Sequence, residues 1–394
     1  MGFHFAEPAA SHWQLHRPLA CRLFAWALSC SVALGAGPHF VMRYFYDQDK
    51  TELQLIDLKF PSAQHGIAAG VVTEGKRLDP TLLTTKDGGA HWLLTPLTGF
   101  LSSKDLPLSL YFVNDSQGWM VTDKGLWFTG DFGRTWRKPG DLPKGITKVW
   151  FLTTTHGWAI GSNKQVIETT NGGKSWTPVE AAKQTPGAEV STVFSAVVFM
   201  RNHGIITGWN KPRDFSTHPE WQDPSTRSSA GVPGTTIFLE TPDGGKTWSS
   251  SSGSMFGQLT AVTLSLNGTS LALFEFINRM DSKMVHLPPS EVHRLSMEKG
   301  VPDRVFRDED TQTTDVALTT QGTPYLAGHA TVGLVRDNPI PGKLKVLTSS
   351  DFANWTEIPV DYRAEAHKAY LAIAEDRDVW VATDTGMILK LQDE

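Results

Sequence analysis

A pattern of eight residues recurs along the chain, and a repeat of this kind constrains a fold more than any local propensity does. The spacing of Thr85, Asp87, Gly89 and Trp92 returns at Thr129, Asp131, Gly133 and Trp136, then at Thr169, Asn171, Gly173 and Trp176, then at Thr241, Asp243, Gly245 and Trp248. A shortened copy, with Ser349, Asp351 and Trp355, has lost one residue and the glycine. Each copy reads as a hairpin turn. The acid accepts hydrogen bonds from loop N–H groups, glycine supplies a positive φ, and the indole packs beneath the turn. Upstream of the boxes a strand, a tight turn and a second strand recur around Gly66, Gly118, Gly157 and Gly204. The whole unit is about 40–50 residues long, the size of one four-stranded propeller blade.

Weaker copies over Leu259–Leu273, Thr314–Gly328 and Leu371–Thr383 bring the number of units to seven. The expected fold is therefore all-β: a single seven-bladed β-propeller of four-stranded blades. The last unit ends one strand short, and residues 41–46 (VMRYFY) are placed to supply it, closing the ring by pairing the two ends of the chain. Composition agrees, because charged residues make up only 20% of the chain while 35 Gly, 23 Pro and 14 Trp suit many short strands joined by turns. Two stretches break the repeat. Residues 209–234 form a polar insertion rich in Pro and Ser, expected as a surface loop. The charged, irregular stretch Ile277–Asp308 lies where the fifth unit should carry its box, so that blade is expected to be distorted or decorated.

Arg17 and Arg22 precede an apolar run from Leu23 to Gly37, the length of a signal-peptide core and short for a spanning helix. Residues 1–37 are read as a signal peptide or membrane anchor and 38–394 as the propeller, which places the domain outside the cytoplasm: periplasmic, lumenal or secreted. Both cysteines, Cys21 and Cys30, lie in that first segment, so the domain has no thiol for redox chemistry or metal binding. A formal net charge of −5 gives no basic field for nucleic acid. No cofactor and no metal are expected, and the chain is expected to be monomeric.

A carboxylate held in a turn by backbone donors is already stabilised as an anion, the wrong state for a general acid. Asp87, Asp131, Asp243 and Asp351 are accordingly structural, and Asn171 fits the same place because an amide oxygen accepts the same bonds. Their partners Trp92, Trp136, Trp176, Trp248 and Trp355 are read as packing residues. Glycoside hydrolysis needs two facing carboxyl groups; Asp57, Asp115, Asp315, Glu375 and Asp376 lie in or beside inner strands and are the carboxylates available. His65, His156 and His203 recur at one repeat position and read as turn residues. No catalytic residue is assigned, and a carbohydrate-active enzyme, sialidase-like or another glycoside hydrolase, stands as the alternative to a binding protein.

Gly118-Trp119 and Gly157-Trp158 lie thirteen and fourteen residues before Asp131 and Asn171. With the boxes, this combination resembles the BNR or Asp-box propellers, and within them the photosystem II assembly and stability factor family, most clearly from Ile56 to Trp248. The resemblance implies a non-catalytic lumenal or periplasmic propeller that binds membrane-protein subunits during assembly, and hence a membrane protein or membrane-protein complex as partner. It transfers no binding residue. The insertion is the place nominated for a partner: Lys211, Arg213, Phe215, Trp221 and Arg227 join cations to aromatic anchors, the residue types enriched in interface hot spots.

Overall fold

Alternating apolar residues bounded by Gly, Asn and Asp turns make short antiparallel strands, and in the computed structural model these assemble as seven sheets, six of them built from strands consecutive in sequence. The structure describes residues 37–210, 234–255, 257–276, 289–295, 303–331, 342–376 and 378–393. Blade 1 runs Glu52–Lys59, Gly66–Glu74, Arg77–Thr85 and Leu93–Pro96. Five further blades follow the same plan, each beginning with an inner strand: Pro107–Phe112, Ile146–Phe151, Thr192–Met200, Gln258–Leu264 and Thr311–Leu318. Blade 2 keeps only a bridge, Phe128 to Arg137, in place of its fourth strand.

The seventh blade closes the ring. Its first three strands are Ala369–Ala374, Asp378–Thr383 and Met387–Gln392, and its outermost strand is His39–Phe45, paired antiparallel from His39 with Gln392 to Phe45 with Met387. Phe40 in that strand is 3% exposed and its N–H reaches Pro359 O of blade 6 at 2.8 Å. The expected closure by the two chain ends is what the structure has.

Two expectations need correction. The stretch Ile277–Asp308 is not irregular throughout, since Ser290–Leu295 and Asp303–Arg307 are the third and fourth strands of blade 5. Their charges neutralise one another across the pair, where Glu291 meets Arg304 at 3.3 Å and Arg307 at 3.5 Å. The bounds 209–234 are also too wide, because Trp209, Asn210 and Gly234 are paired strand residues of blade 4.

The box tryptophans do more than cover their own turns, because they meet a stacked aromatic pair that joins two blades. Trp119 stacks on Phe151 (3.6 Å, 4°), Trp158 on Phe199 (4.3 Å, 16°) and Trp380 on Phe60 (4.2 Å, 16°), each pair joining the second strand of one blade to the first strand of the next. The box tryptophan of that next blade meets the stack edge-on, Trp248 against Trp158 at 6.1 Å and Trp92 against Trp380 at 6.2 Å. The box glycine makes room for this arrangement. A Cβ on Gly245 would lie 2.3 Å from Trp158, and one on Gly89 would lie 2.1 Å from Trp380; both glycines also have positive φ. Box and upstream Gly-Trp are thus two halves of one inter-blade joint.

Candidate functional site

The seven inner strands surround a central channel. Six of them carry a bulge at the same height, between Leu55 and Asp57, Pro107 and Ser109, Ile146 and Lys148, Phe194 and Ala196, Leu259 and Ala261, and Thr313 and Asp315. A bulge adds a residue and re-aims the side chains beside it. Here it brings Asp57, Lys148 and Asp315 to the wall of a cavity of about 230 Å³, to which all seven inner strands contribute. The cavity lies toward the rim where the inner strands begin, called here the entry rim. The opposite rim carries the box turns, and the channel there is a second cavity of about 410 Å³ with mostly apolar walls, among them Phe60, Phe112, Phe199 and Ile373.

The two channel aspartates are bound into the scaffold. Asp57 accepts from the N–H of Leu58 (2.9 Å), the Lys59 ammonium (2.6 Å) and, across to blade 2, the N–H of Leu110 (2.8 Å). Asp315 repeats this between blades 6 and 7, taking the N–H groups of Val316 (2.9 Å) and Leu371 (2.8 Å). Burial pushes Asp315 above the ordinary carboxylate range against the pull of those bonds. Burial raises Glu275 likewise, against the attraction of Lys368 and a bond from Gln312 at 3.2 Å. Tyr111 is raised by burial while its hydroxyl donates to Phe151 O at 2.6 Å, and Tyr370 is raised by burial and by Asp57.

The cations are less occupied. Lys148 projects from blade 3 into the channel, half-buried and enclosed by protein, and this enclosure together with Lys368 lowers its amine to about 8. Lys368, at the start of the last inner strand, holds its ammonium 5.3 Å over the Tyr370 ring. Neither ammonium makes an ion pair within 4 Å or a hydrogen bond among the described residues.

Of the residues singled out in the sequence, Lys211, Arg213, Phe215, Trp221 and Arg227 lie outside the described residues. Asp57 and Asp315 reach the channel; Asp115, Glu375 and Asp376 do not. Asp115 sits in a turn 3.5 Å from His65. Glu375 and Asp376 occupy the first turn of blade 7 and bond the N–H groups of Ala63 and Thr320 in its neighbours. His156 pairs with Glu168 at 2.7 Å and lies against Trp158. Sequence reading missed Lys148, Lys368 and Glu275. Aligning the inner strands by their bulges places Lys148 beside Asp57 and Asp315, and that alignment is the signal that finds it.

The box acids sit in turns and share one set of bonds. Asp87 accepts the N–H of His91 (2.9 Å) and the hydroxyl of Thr85 (2.8 Å), while Gly89 N–H goes to that hydroxyl instead (2.9 Å). Asp131 and Asp243 repeat this with Thr135 and Thr247. Asn171 does so with Ser175, its Oδ1 accepting the N–H at 2.9 Å. Bonds from the His91 backbone and ring, then from Thr85, hold Asp87 down at about 2. A carboxylate so lowered contributes stability that is complete above its unfolded value near ~4 and is lost as pH falls through the folded value. Asp87→Asn is therefore expected to flatten the decline of stability between about pH 4 and 2, read by urea denaturation at several pH values; an unchanged pH slope contradicts this role.

A family model described as photosynthesis system II assembly factor YCF48 matches residues 141–213. Among solved structures, YCF48 bound to a D1 peptide is similar with a TM-score of 0.57 and 17% identity, over 91% of this chain and 96% of that one. YCF48 from Cyanidioschyzon merolae gives 0.55 and 16%, over 90% and 99%. The extracellular domain of a hybrid two-component system from B. thetaiotaomicron gives 0.56 and 10%, over 90% of this chain and 40% of that one. Comparison with curated proteins gives no match. At these identities the structural likeness is one of fold. The chain is a seven-bladed β-propeller that resembles the photosystem II assembly factor in sequence over residues 141–213 and in fold.

Proposed function

We infer that this protein is a non-catalytic, extracytoplasmic binding propeller that acts on a membrane protein or membrane-protein complex and receives part of its partner at the entry-rim mouth of the channel. The observation that carries this reading is the contrast inside the cavity, where the aspartates are spent on backbone N–H groups and two ammonium groups are not. A site built this way is arranged to hold a ligand that brings hydrogen-bond acceptors. The resemblance to an assembly factor, one of whose solved relatives holds a peptide, supports the same choice. The apolar run Leu23–Gly37, read as a signal peptide or anchor, supports the location. Among the described residues no helix is long and apolar enough to cross a membrane.

The enzyme alternative has one observation in its favour, the raised carboxyl groups of Glu275 and Asp315 in one cavity. Affinity capture from detergent-solubilised membranes separates the two readings. The tagged chain is expected to retain one membrane-protein complex reproducibly, and Leu108→Arg, which places a bulky cation at an exposed position on the channel wall, is expected to release it. Hydrolysis of any member of a glycoside panel, abolished by Glu275→Gln, together with no retained protein, overturns the binding reading.

A further inference from the structure

We propose that the entry-rim cavity is a carboxylate-binding site in which the ammonium groups of Lys148 and Lys368 receive the anionic group of an acidic ligand. The proposal deepens the reading above and rests on it only for the source of that carboxylate.

Hydrogen-bonding capacity sets the ligand's chemistry. Each ammonium brings three N–H donors and no acceptor. Lys59 spends one on Asp57, whereas Lys148 and Lys368 spend none on any described residue. The carboxylates nearby are already partly engaged: Asp57 and Asp315 by inter-blade N–H groups, Glu275 by Gln312. A cavity with surplus donors calls for a ligand that brings acceptors.

Charge and size narrow the choice. Lys59, Lys148 and Lys368 face Asp57, Asp315 and Glu275, with the phenols of Tyr111 and Tyr370 between them. A single negative charge meets two unpaired cations there. The three carboxyl groups oppose any anion in that small volume, and a phosphate dianion about twice as strongly as a carboxylate. At about 230 Å³ the cavity is below the ~300–1,000 Å³ of drug-sized pockets and admits a carboxylate-bearing side chain, a peptide terminus or a small organic acid. Keeping an amine in such a place opposes folding, since a lysine lowered to about 8 in the folded state costs stability below its unfolded value of ~10.4, and in full below about 8. A group retained against stability is the pattern of a functional site.

The test is calorimetric titration of the full chain with N-acetylglutamate, N-acetylglutamine, a short peptide as its C-terminal acid and as its amide, and inorganic phosphate. Binding of at least one acid is expected, its amide partner weaker by tenfold or more and phosphate weaker than the acid. The arm that binds identifies the source, free acid, side chain or terminus. Lys148→Met is expected to lose tenfold or more in affinity while its Tm at pH 7 holds or rises. Affinity should fall as pH is raised from about 8 to 10, as Lys148 loses its proton. Binding of no acid, equal binding of acid and amide, tightest binding of phosphate, or unchanged affinity in Lys148→Met overturns the proposal. So does a lowered Tm in that variant, which makes Lys148 a structural counter-charge for Asp57 and Asp315. If Lys148→Met still captures the membrane partner, the binding function stands and the carboxylate site alone fails.

Discussion

Replacing Trp158 with alanine is expected to cost about 3–5 kcal/mol of folding stability, the range for removing a large buried aromatic. The side chain is fully buried, stacked on Phe199 and met edge-on by Trp248, so its loss empties the joint between blades 3 and 4. Repacking is limited because the walls belong to two different sheets. Gly245→Ala attacks the same joint from the other side: its Cβ enters the indole's space at 2.3 Å and its φ of +88° is one that an L side chain rarely adopts. Contacting residues couple when mutated. The Gly245→Ala variant is therefore expected to lose much less in a Trp158→Leu background than in the native one, measured by urea denaturation. Simple additivity of the two losses contradicts the interlock.

A second large effect is expected at the closure. Removing residues 1–46 deletes the strand His39–Phe45 and leaves Met387–Gln392 as an exposed edge, with the buried surface under Phe40 opened to water. An unpaired edge is a template for association with other chains. The truncated chain should lose its single cooperative unfolding transition and run as oligomers in size-exclusion chromatography. Restoring residues 38–46 after Glu394 through a short glycine-serine linker should bring back a monomeric, cooperative fold, since strand pairing needs the strand and not its position in the sequence. A truncated chain that stays monomeric with unchanged unfolding contradicts the role given to this strand.

Repeat number, blade size and closure were legible because the residues that make them are local and chemically distinctive: Thr, Asp, Gly and Trp at fixed spacing, and an apolar segment left over at one end. What crosses between blades was less legible. Phe60, Phe151 and Phe199 look like ordinary ends of inner strands until the fold sets them against Trp380, Trp119 and Trp158. The paired charges of Glu291, Arg304 and Arg307 disguised two strands as an irregular segment. Lys148 was hidden by the bulge before it, because one added residue changes which alternate side chains face the channel. Asp57 and Asp315 were visible as inner-strand carboxylates, but their bonds to the next blade belong to tertiary structure.

The central claim, that a membrane-protein partner enters at the entry rim, is tested most directly by a photoreactive residue at Leu108, exposed on the channel wall. Irradiation of cells making this variant is predicted to yield a discrete adduct containing a membrane protein, with the cross-linked segment on the extracytoplasmic side. The same residue at Lys86, exposed in the box turn of blade 1 on the opposite rim, should give none. Equal adducts from both positions, or adducts to soluble proteins alone, contradict the account.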